Sequence, residues 1–217
     1  MLAGLARTVM PVLGRLQVTT APGAALRDGG IITANHSSLI DPGVVLAALR
    51  RMEVRPVVLA TAGLWRIPLL GQALSREGHI PVHRGTEHAA DALDEALRAL
   101  AEGRHVLIYG EGRLPRHRHS GDTAPGPFRS GVARLAHASG APVIPLGQAG
   151  ARRITSGSRT KQLAGLVTSP LRRPSVHVHI GDPLRLTGTV PDDTAATRNA
   201  VAAAWRTAAG RLGAPAA

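Results

Sequence analysis

The stretch from Gly30 to Leu49 constrains this chain most. The apolar run Gly30-Ile31-Ile32-Thr33-Ala34 predicts a short buried strand, and Val44-Val45-Leu46-Ala47-Ala48-Leu49 predicts a helix. Between them lies a polar cluster, Asn35-His36-Ser37-Ser38, followed by Leu39-Ile40-Asp41-Pro42-Gly43. Open α/β sheets place their chemistry at such strand-to-helix junctions. A histidine with an aspartate five residues on suits base catalysis. The carboxylate can accept a hydrogen bond from one ring nitrogen, fix the tautomer and stabilise the imidazolium. The other nitrogen is then free to take a proton from a hydroxyl. Asp41-Pro42 is also a good helix start, with aspartate as N-cap and proline at the first helical position, and His36 can be an ordinary surface histidine. The two roles of Asp41 are compatible, because one oxygen can cap while the other orients His36.

The rest of the chain repeats the alternation. Strands are predicted at Arg55–Ala60, Gly78–Gly85, His105–Tyr109, Pro142–Leu146 and Ser175–Gly181, with a weaker one after Gln17. Helices are predicted at 42–51, at 62–76 (punctuated by Pro68 and Gly71), from Thr86 to Glu102, from Ser130 to Ser139, and from an Asp192 or Asp193 cap to about Leu212. Residues 114–127 read as loop, and 150–174 as basic and irregular. The predicted fold is a single α/β domain over 19–212, with a central mixed, mostly parallel sheet flanked by helices. Residues 213–217 are predicted to be a loose tail. Residues 1–18 are predicted to be an amphipathic helix. Leu2, Leu5, Val9, Val12, Leu13 and Leu16 share one stripe, Arg7 and Arg15 lie opposite, and Pro11 should kink it. Such a helix either lies in an anionic lipid interface or packs on the domain's own core.

Composition narrows the partners. The net charge of +12 and the pI near 11.8 predict anionic ones: phosphate-bearing small molecules, anionic lipid surfaces or nucleic acid. Aromatics make up only 2% of the chain, which argues against a base-stacking nucleic-acid binder. Cysteine is absent, so there is neither a disulfide framework nor a thiolate metal site. Lys161 is the only lysine, and a chain so rich in arginine, alanine and glycine reflects coding bias as well as function. No apolar run is long enough for a transmembrane helix, and no signal-peptide cleavage pattern follows the first apolar segment.

Four blocks then carry a resemblance. Asn35-His36-Ser37-Ser38-Leu39-Ile40-Asp41 resembles the His-x4-Asp block of the glycerolipid acyltransferases, the 1-acylglycerol-3-phosphate acyltransferase family. Ile67-Pro68-Leu69-Leu70-Gly71, with Gly78-His79-Ile80-Pro81-Val82-His83-Arg84, resembles the second block. Tyr109-Gly110-Glu111-Gly112-Arg113 resembles the third, usually Phe-Pro-Glu-Gly-Thr-Arg, and Val143-Ile144-Pro145-Leu146 the fourth. Phe128-Arg129-Ser130-Gly131 resembles the family's Phe-Lys-x-Gly. The match covers about residues 30–150, with the blocks in family order. Two departures stand out. Gly110 replaces the preferred proline, and Arg113-Leu114 stands where Thr-Arg is common, so the acceptor can differ from lysophosphatidic acid.

The resemblance implies transfer of an acyl group from acyl-CoA or acyl-carrier protein to a lysophospholipid hydroxyl, with no metal and no further cofactor. It implies His36 as general base and Asp41 as its orienter. It also implies a substrate site formed by Asn35, Ser38, Arg84, Glu111, Gly112 and Arg113, with Arg84 holding the acceptor phosphate and Arg113 as a second contact. A phospholipid-synthesising enzyme bound peripherally to the cytoplasmic face of the cell membrane, without nucleic acid as a partner, is the expectation. A different lyso-lipid acceptor is the alternative, and a non-catalytic binder of anionic membranes or nucleic acid the more distant one. Arg116-His117-Arg118-His119 reads as a basic loop rather than a metal site. His177 and His179 are expected on one side of a strand, on a partly exposed sheet face.

Overall fold

In a computed structural model, which describes residues 2–24, 26, 29–83, 91–112 and 123–213, the sheet forms around the strand at the start of that constraining stretch. The chain runs α1 (Leu2–Leu13), β1 (Arg15–Thr20), β2 (Ile31–Ala34), α2 (Asp41–Arg51) and β3 (Val57–Thr61). A 3₁₀ turn (Ala62–Arg66), α3 (Leu70–Arg76), β4 (Ile80–Val82), α4 (Asp91–Ala101) and β5 (Val106–Tyr109) follow. Then come α5 (Gly131–Ser139), β6 (Val143–Ala149), α6 (Ala151–Ile154), α7 (Arg159–Arg172), β7 (Ser175–Ile180) and α8 (Val190–Gly210).

The described strands join in the order β1-β7-β6-β2-β5-β3-β4. Only the β6–β7 pairing is antiparallel, while the other neighbours run parallel. The mixed, mostly parallel sheet is therefore as expected. Its central strands are buried on both faces, which is why they read as unbroken apolar runs rather than alternating ones. Register keeps the two faces distinct. Ile31, Val57, Val106 and Val143 pack with Ala92, Ala96, Val132 and Leu135 of α4 and α5. Their successors Ile32, Val58, Leu107 and Ile144 pack with α2 and with Met10 of α1. Each such Ile or Leu contributes about 1.5–3 kcal/mol on burial. α8 closes over β6, where a side chain at Gly147 would lie 2.0 Å from the Trp205 amide nitrogen, so only glycine admits that helix.

Four expectations change. The N-terminal helix ends at Leu13, not Val18. Residues from Arg15 pair with β7, and Leu16 is buried in that strand. The inward face of α1 is Ala6, Met10 and Leu13, whereas Val9 and Val12 stay exposed. Residues 150–174 are not irregular but hold α6 and α7; Gly150, Gly157, Gly165 and Pro170 mask the helical spacing of the leucines. The last helix is capped by Thr189, whose hydroxyl accepts from the Asp192 amide, so the aspartates fall in the first turn, where the helix dipole favours them. His177 and His179 do share one side of β7, but His177 is buried, and both rings bond the Thr19 hydroxyl at 2.9 Å. Thr86 as a helix cap, and Arg116–His119, lie outside the described residues.

Candidate active site

Register builds the site. Ala34, at the end of β2, aligns with Tyr109 of β5 on one side and Leu146 of β6 on the other. The loop 35–40 therefore emerges at the C-terminal edge of the sheet between the ends of those two strands. It meets Gly110 and Glu111 on one side and Gln148 to Thr155 on the other, which is where open sheets form ligand crevices.

His36 Nδ1 lies 3.0 Å from Asp41 Oδ2. Asp41 is wholly buried, and the same oxygen also accepts the amides of Ser37 and, at 2.7 Å, Ser38. Asp41 does not cap α2. Ile40 holds that position without a side-chain bond, and Asp41 is the first helical residue. Its carboxylate turns back to amides three and four residues earlier, because the loop must be closed there to bring His36 over it. With Nδ1 donating to Asp41, the neutral ring presents Nε2 as an acceptor, and among the described residues Nε2 has no hydrogen-bond partner. The arrangement can take a proton from a hydroxyl and hold the resulting imidazolium against a carboxylate.

The imidazole stacks on Tyr109, the chain's only tyrosine, with ring centroids 4.4 Å apart and planes tilted by 30°. Burial, with the Asp41 charge adding to it, pushes the Tyr109 phenol well above its ordinary pKa, so it stays neutral beside the histidine. On the same side, Glu111 accepts the His36 amide at 2.9 Å and a second amide from Gly126. Burial raises its carboxyl above the usual range; the two amides oppose that rise, and Asp41 adds to it. Glu111 thus holds the backbone at His36.

The sequence-predicted substrate residues divide. Asn35 forms a reciprocal pair with the Gln148 backbone, donating to its carbonyl at 3.0 Å and accepting its amide at 2.8 Å. Ser38 is buried, with its hydroxyl 2.6 Å from Thr155 Oγ1 and 3.1 Å from the Thr155 carbonyl. Both fasten the loop to β6 and to the segment after α6. Gly112 sits at φ +68°, with its amide on the Tyr109 carbonyl and Arg129 packed against its Cα. Arg84 and Arg113 lie outside the described residues. Gly110 explains one departure from the family block. Phe128, the chain's only phenylalanine, packs so closely that a Cβ at Gly110 would come within 2.3 Å of its ring.

Sequence reasoning missed Arg152. It is buried, and its guanidinium donates to the Ser37 carbonyl at 2.9 Å, placing an arginine directly behind the loop 35–40. Nothing local marks it out: Arg152 reaches the loop only because β6, which it follows, pairs with β2.

Comparison with known proteins gives the chain a family and its fold a counterpart. The family model described as Acyltransferase matches residues 15–148. Over 133 residues the chain is 29% identical to a 1-acyl-sn-glycerol-3-phosphate acyltransferase of Borreliella burgdorferi, covering 61% of this chain and 50% of that protein. Over 125 residues it is 26% identical to the chloroplastic 1-acyl-sn-glycerol-3-phosphate acyltransferase BAT2 of Brassica napus, covering 57% and 34%. Over 117 residues it is 32% identical to the enzyme of that name from Limnanthes alba, covering 54% and 39%. The matched region thus spans a third to a half of these curated relatives. The fold matches the crystal structure of the 1-acyl-sn-glycerophosphate acyltransferase PlsC of Thermotoga maritima with a TM-score of 0.72 and 16% identity, over 97% of this chain and 78% of that one. The chain belongs to the acyltransferase family.

Proposed function

We propose that this chain transfers a fatty acyl group from acyl-CoA or acyl-carrier protein to the free hydroxyl of 1-acylglycerol-3-phosphate, giving phosphatidic acid for phospholipid synthesis. The observation that carries the reading is the His36–Asp41 pair, 3.0 Å apart, with the carboxylate buried and fixed by two amides. His36 Nε2 takes the proton of the acceptor hydroxyl as its oxygen attacks the thioester carbonyl. Asp41 stabilises the imidazolium. Collapse of the tetrahedral intermediate breaks the carbon–sulfur bond, and the proton passes from His36 to the leaving thiolate. Glu111 and Arg152 hold the loop in register. Arg84 and Arg113 are the proposed holders of the acceptor phosphate, since arginine's planar fork suits that group. No helix among the described residues is long and apolar enough to cross a membrane; a peripheral position on the cytoplasmic leaflet fits an acceptor that resides there.

A second acceptor class stays open for a specific reason. Glycine at 110, with Phe128 seated on it, alters the turn before Glu111, so another lyso-lipid can be the better substrate. The test is free-thiol release from acyl-CoA and from acyl-carrier protein, with and without lysophosphatidic acid, for the wild type and His36→Ala. Acceptor-dependent release that the variant loses supports the proposal. Release preferring another lyso-lipid moves the assignment to that acceptor. Equal turnover in a folded His36→Ala variant rejects the mechanism. Salt-sensitive binding of vesicles or nucleic acid with no turnover of either donor would leave a binding protein.

A further inference from the structure

The helix α7 is built inside out. Leu163, Val167 and Leu171 recur every fourth residue, so at about 100° per residue they form one stripe. The stripe faces away from the protein: the three side chains are 64%, 69% and 90% exposed. The face turned inward is small and polar. Ser169 is wholly buried, and a side chain at Gly165 would strike the Ile154 carbonyl at 2.3 Å. An amphipathic helix of a globular domain normally does the reverse.

The charges around this stripe have one sign. Lys161, Arg172 and Arg173 are exposed on α7 and at its end, Arg153 is exposed on α6, and no acidic residue occurs from Thr123 to Gly181. The stripe is also continuous with the candidate site. Leu163 and Leu166 share an apolar hollow of about 350 Å³ with Leu39 and Ile40, which stand between His36 and Asp41. Leu39 is itself 67% exposed on the catalytic loop.

We propose that α7 is the membrane-docking helix of this protein, lying flat on an anionic bilayer with Leu163, Val167 and Leu171 among the acyl chains and the basic residues at the phosphates. An exposed apolar stripe in a segment whose only charges are basic fits an interfacial helix, with apolar burial and headgroup attraction acting together. Docking in this way sets the Leu39 loop at the lipid surface, where an amphipathic acceptor enters from its own leaflet. That last consequence rests on the acyl-transfer reading; the docking does not.

The test is co-sedimentation of the full chain with vesicles of phosphatidylcholine alone or mixed with phosphatidylglycerol, at low and high salt. Val167→Gln/Leu171→Gln is compared with the wild type, with Val9→Gln/Val12→Gln on α1, and with His36→Ala. Circular dichroism and size exclusion without lipid accompany each. The wild type should bind anionic vesicles, more weakly in high salt. The α7 variant should bind roughly tenfold more weakly at unchanged helicity, and His36→Ala should bind as the wild type does, which keeps docking separate from catalysis. Acyl transfer to a short-chain, water-soluble acceptor should persist in the α7 variant. Wild-type binding by the α7 variant overturns the proposal, as does loss confined to the α1 variant. A wild-type dimer that the α7 substitutions split, without any change in vesicle binding, also overturns it and makes the stripe an interface between copies.

Discussion

The loop 35–41 concentrates its chemistry on one oxygen, and that makes Asp41→Asn a clean test. Asp41 Oδ2 accepts from His36, Ser37 and Ser38, whereas Oδ1 has no partner among the described residues. An asparagine can keep its carbonyl in the Oδ2 position and put its amide where Oδ1 stood. The loop should therefore hold, while the imidazolium loses its counter-charge. We expect kcat to fall by about 10²–10⁴-fold while the thermal midpoint changes less than in Asp41→Ala, which strips all three donors of their acceptor. Equal loss of stability in the two variants would show that the carboxylate matters for its charge in the fold rather than in the reaction. Tyr109→Phe makes the opposite prediction. The Tyr109 hydroxyl is buried without a partner among the described residues, so deleting it should leave stability unchanged or raised, and acyl transfer should persist because the ring, not the hydroxyl, touches His36. A loss of activity beyond about tenfold would mean that the phenol takes part in proton handling.

At the scale of elements, the turn after β5 and the segment 126–131 form one unit through Phe128 and Gly110. Gly110→Ala should overpack that contact at a cost of about 1–3 kcal/mol and shift the Glu111 carboxylate that holds the His36 amide. Phe128→Ala in the same chain should restore much of the loss. Additive destabilisation in the double variant, read from urea midpoints, would mean that the clash is not what Gly110 avoids. This contact also marks what the sequence could and could not convey. The strands β2, β5 and β6 were legible as apolar runs because both of their faces are buried. His36 and Asp41 were legible because their spacing spans one loop. Gly110 read as an odd substitution until Phe128, eighteen positions away, was seen filling its place. Arg152 and Thr155 were invisible for the same reason: they join the site only through the pairing of β6 with β2. Helix α7 escaped notice because its apolar residues point outward and glycine, serine and proline interrupt the pattern, so the helix reads as a basic loop. Asp41 misled in a different way, since an aspartate before a proline is a good cap by local rules and here the loop behind it claims the carboxylate.

The whole molecule carries a large positive charge and several histidines whose burial opposes protonation, and the two effects set its behaviour in mild acid. Burial lowers the pKa of His177, assisted by Arg211 and then His179; burial likewise lowers His179, and it lowers His79 against the pull of Glu77. A folded pKa below the unfolded value of about 6.5 means that the unfolded chain binds more protons in that window. The stability these groups contribute is therefore present above about pH 6.5 and is lost as pH falls towards their native values. In the same range every proton taken up adds to a chain already at +12, so self-repulsion rises too. Salt separates the contributions, because it screens repulsion between exposed charges and leaves the desolvation of a buried ring almost untouched. The midpoint of thermal unfolding should fall between about pH 7.5 and 5.5, where carboxylates remain ionised and histidines titrate. Added salt should recover only part of that fall. His177→Gln, which can keep a hydrogen bond to Thr19 without a titrating ring, should flatten the part that salt leaves behind. If salt abolishes the whole slope, or if the variant keeps it all, the buried β1–β7 histidines are not its source and the acid sensitivity belongs to the net charge.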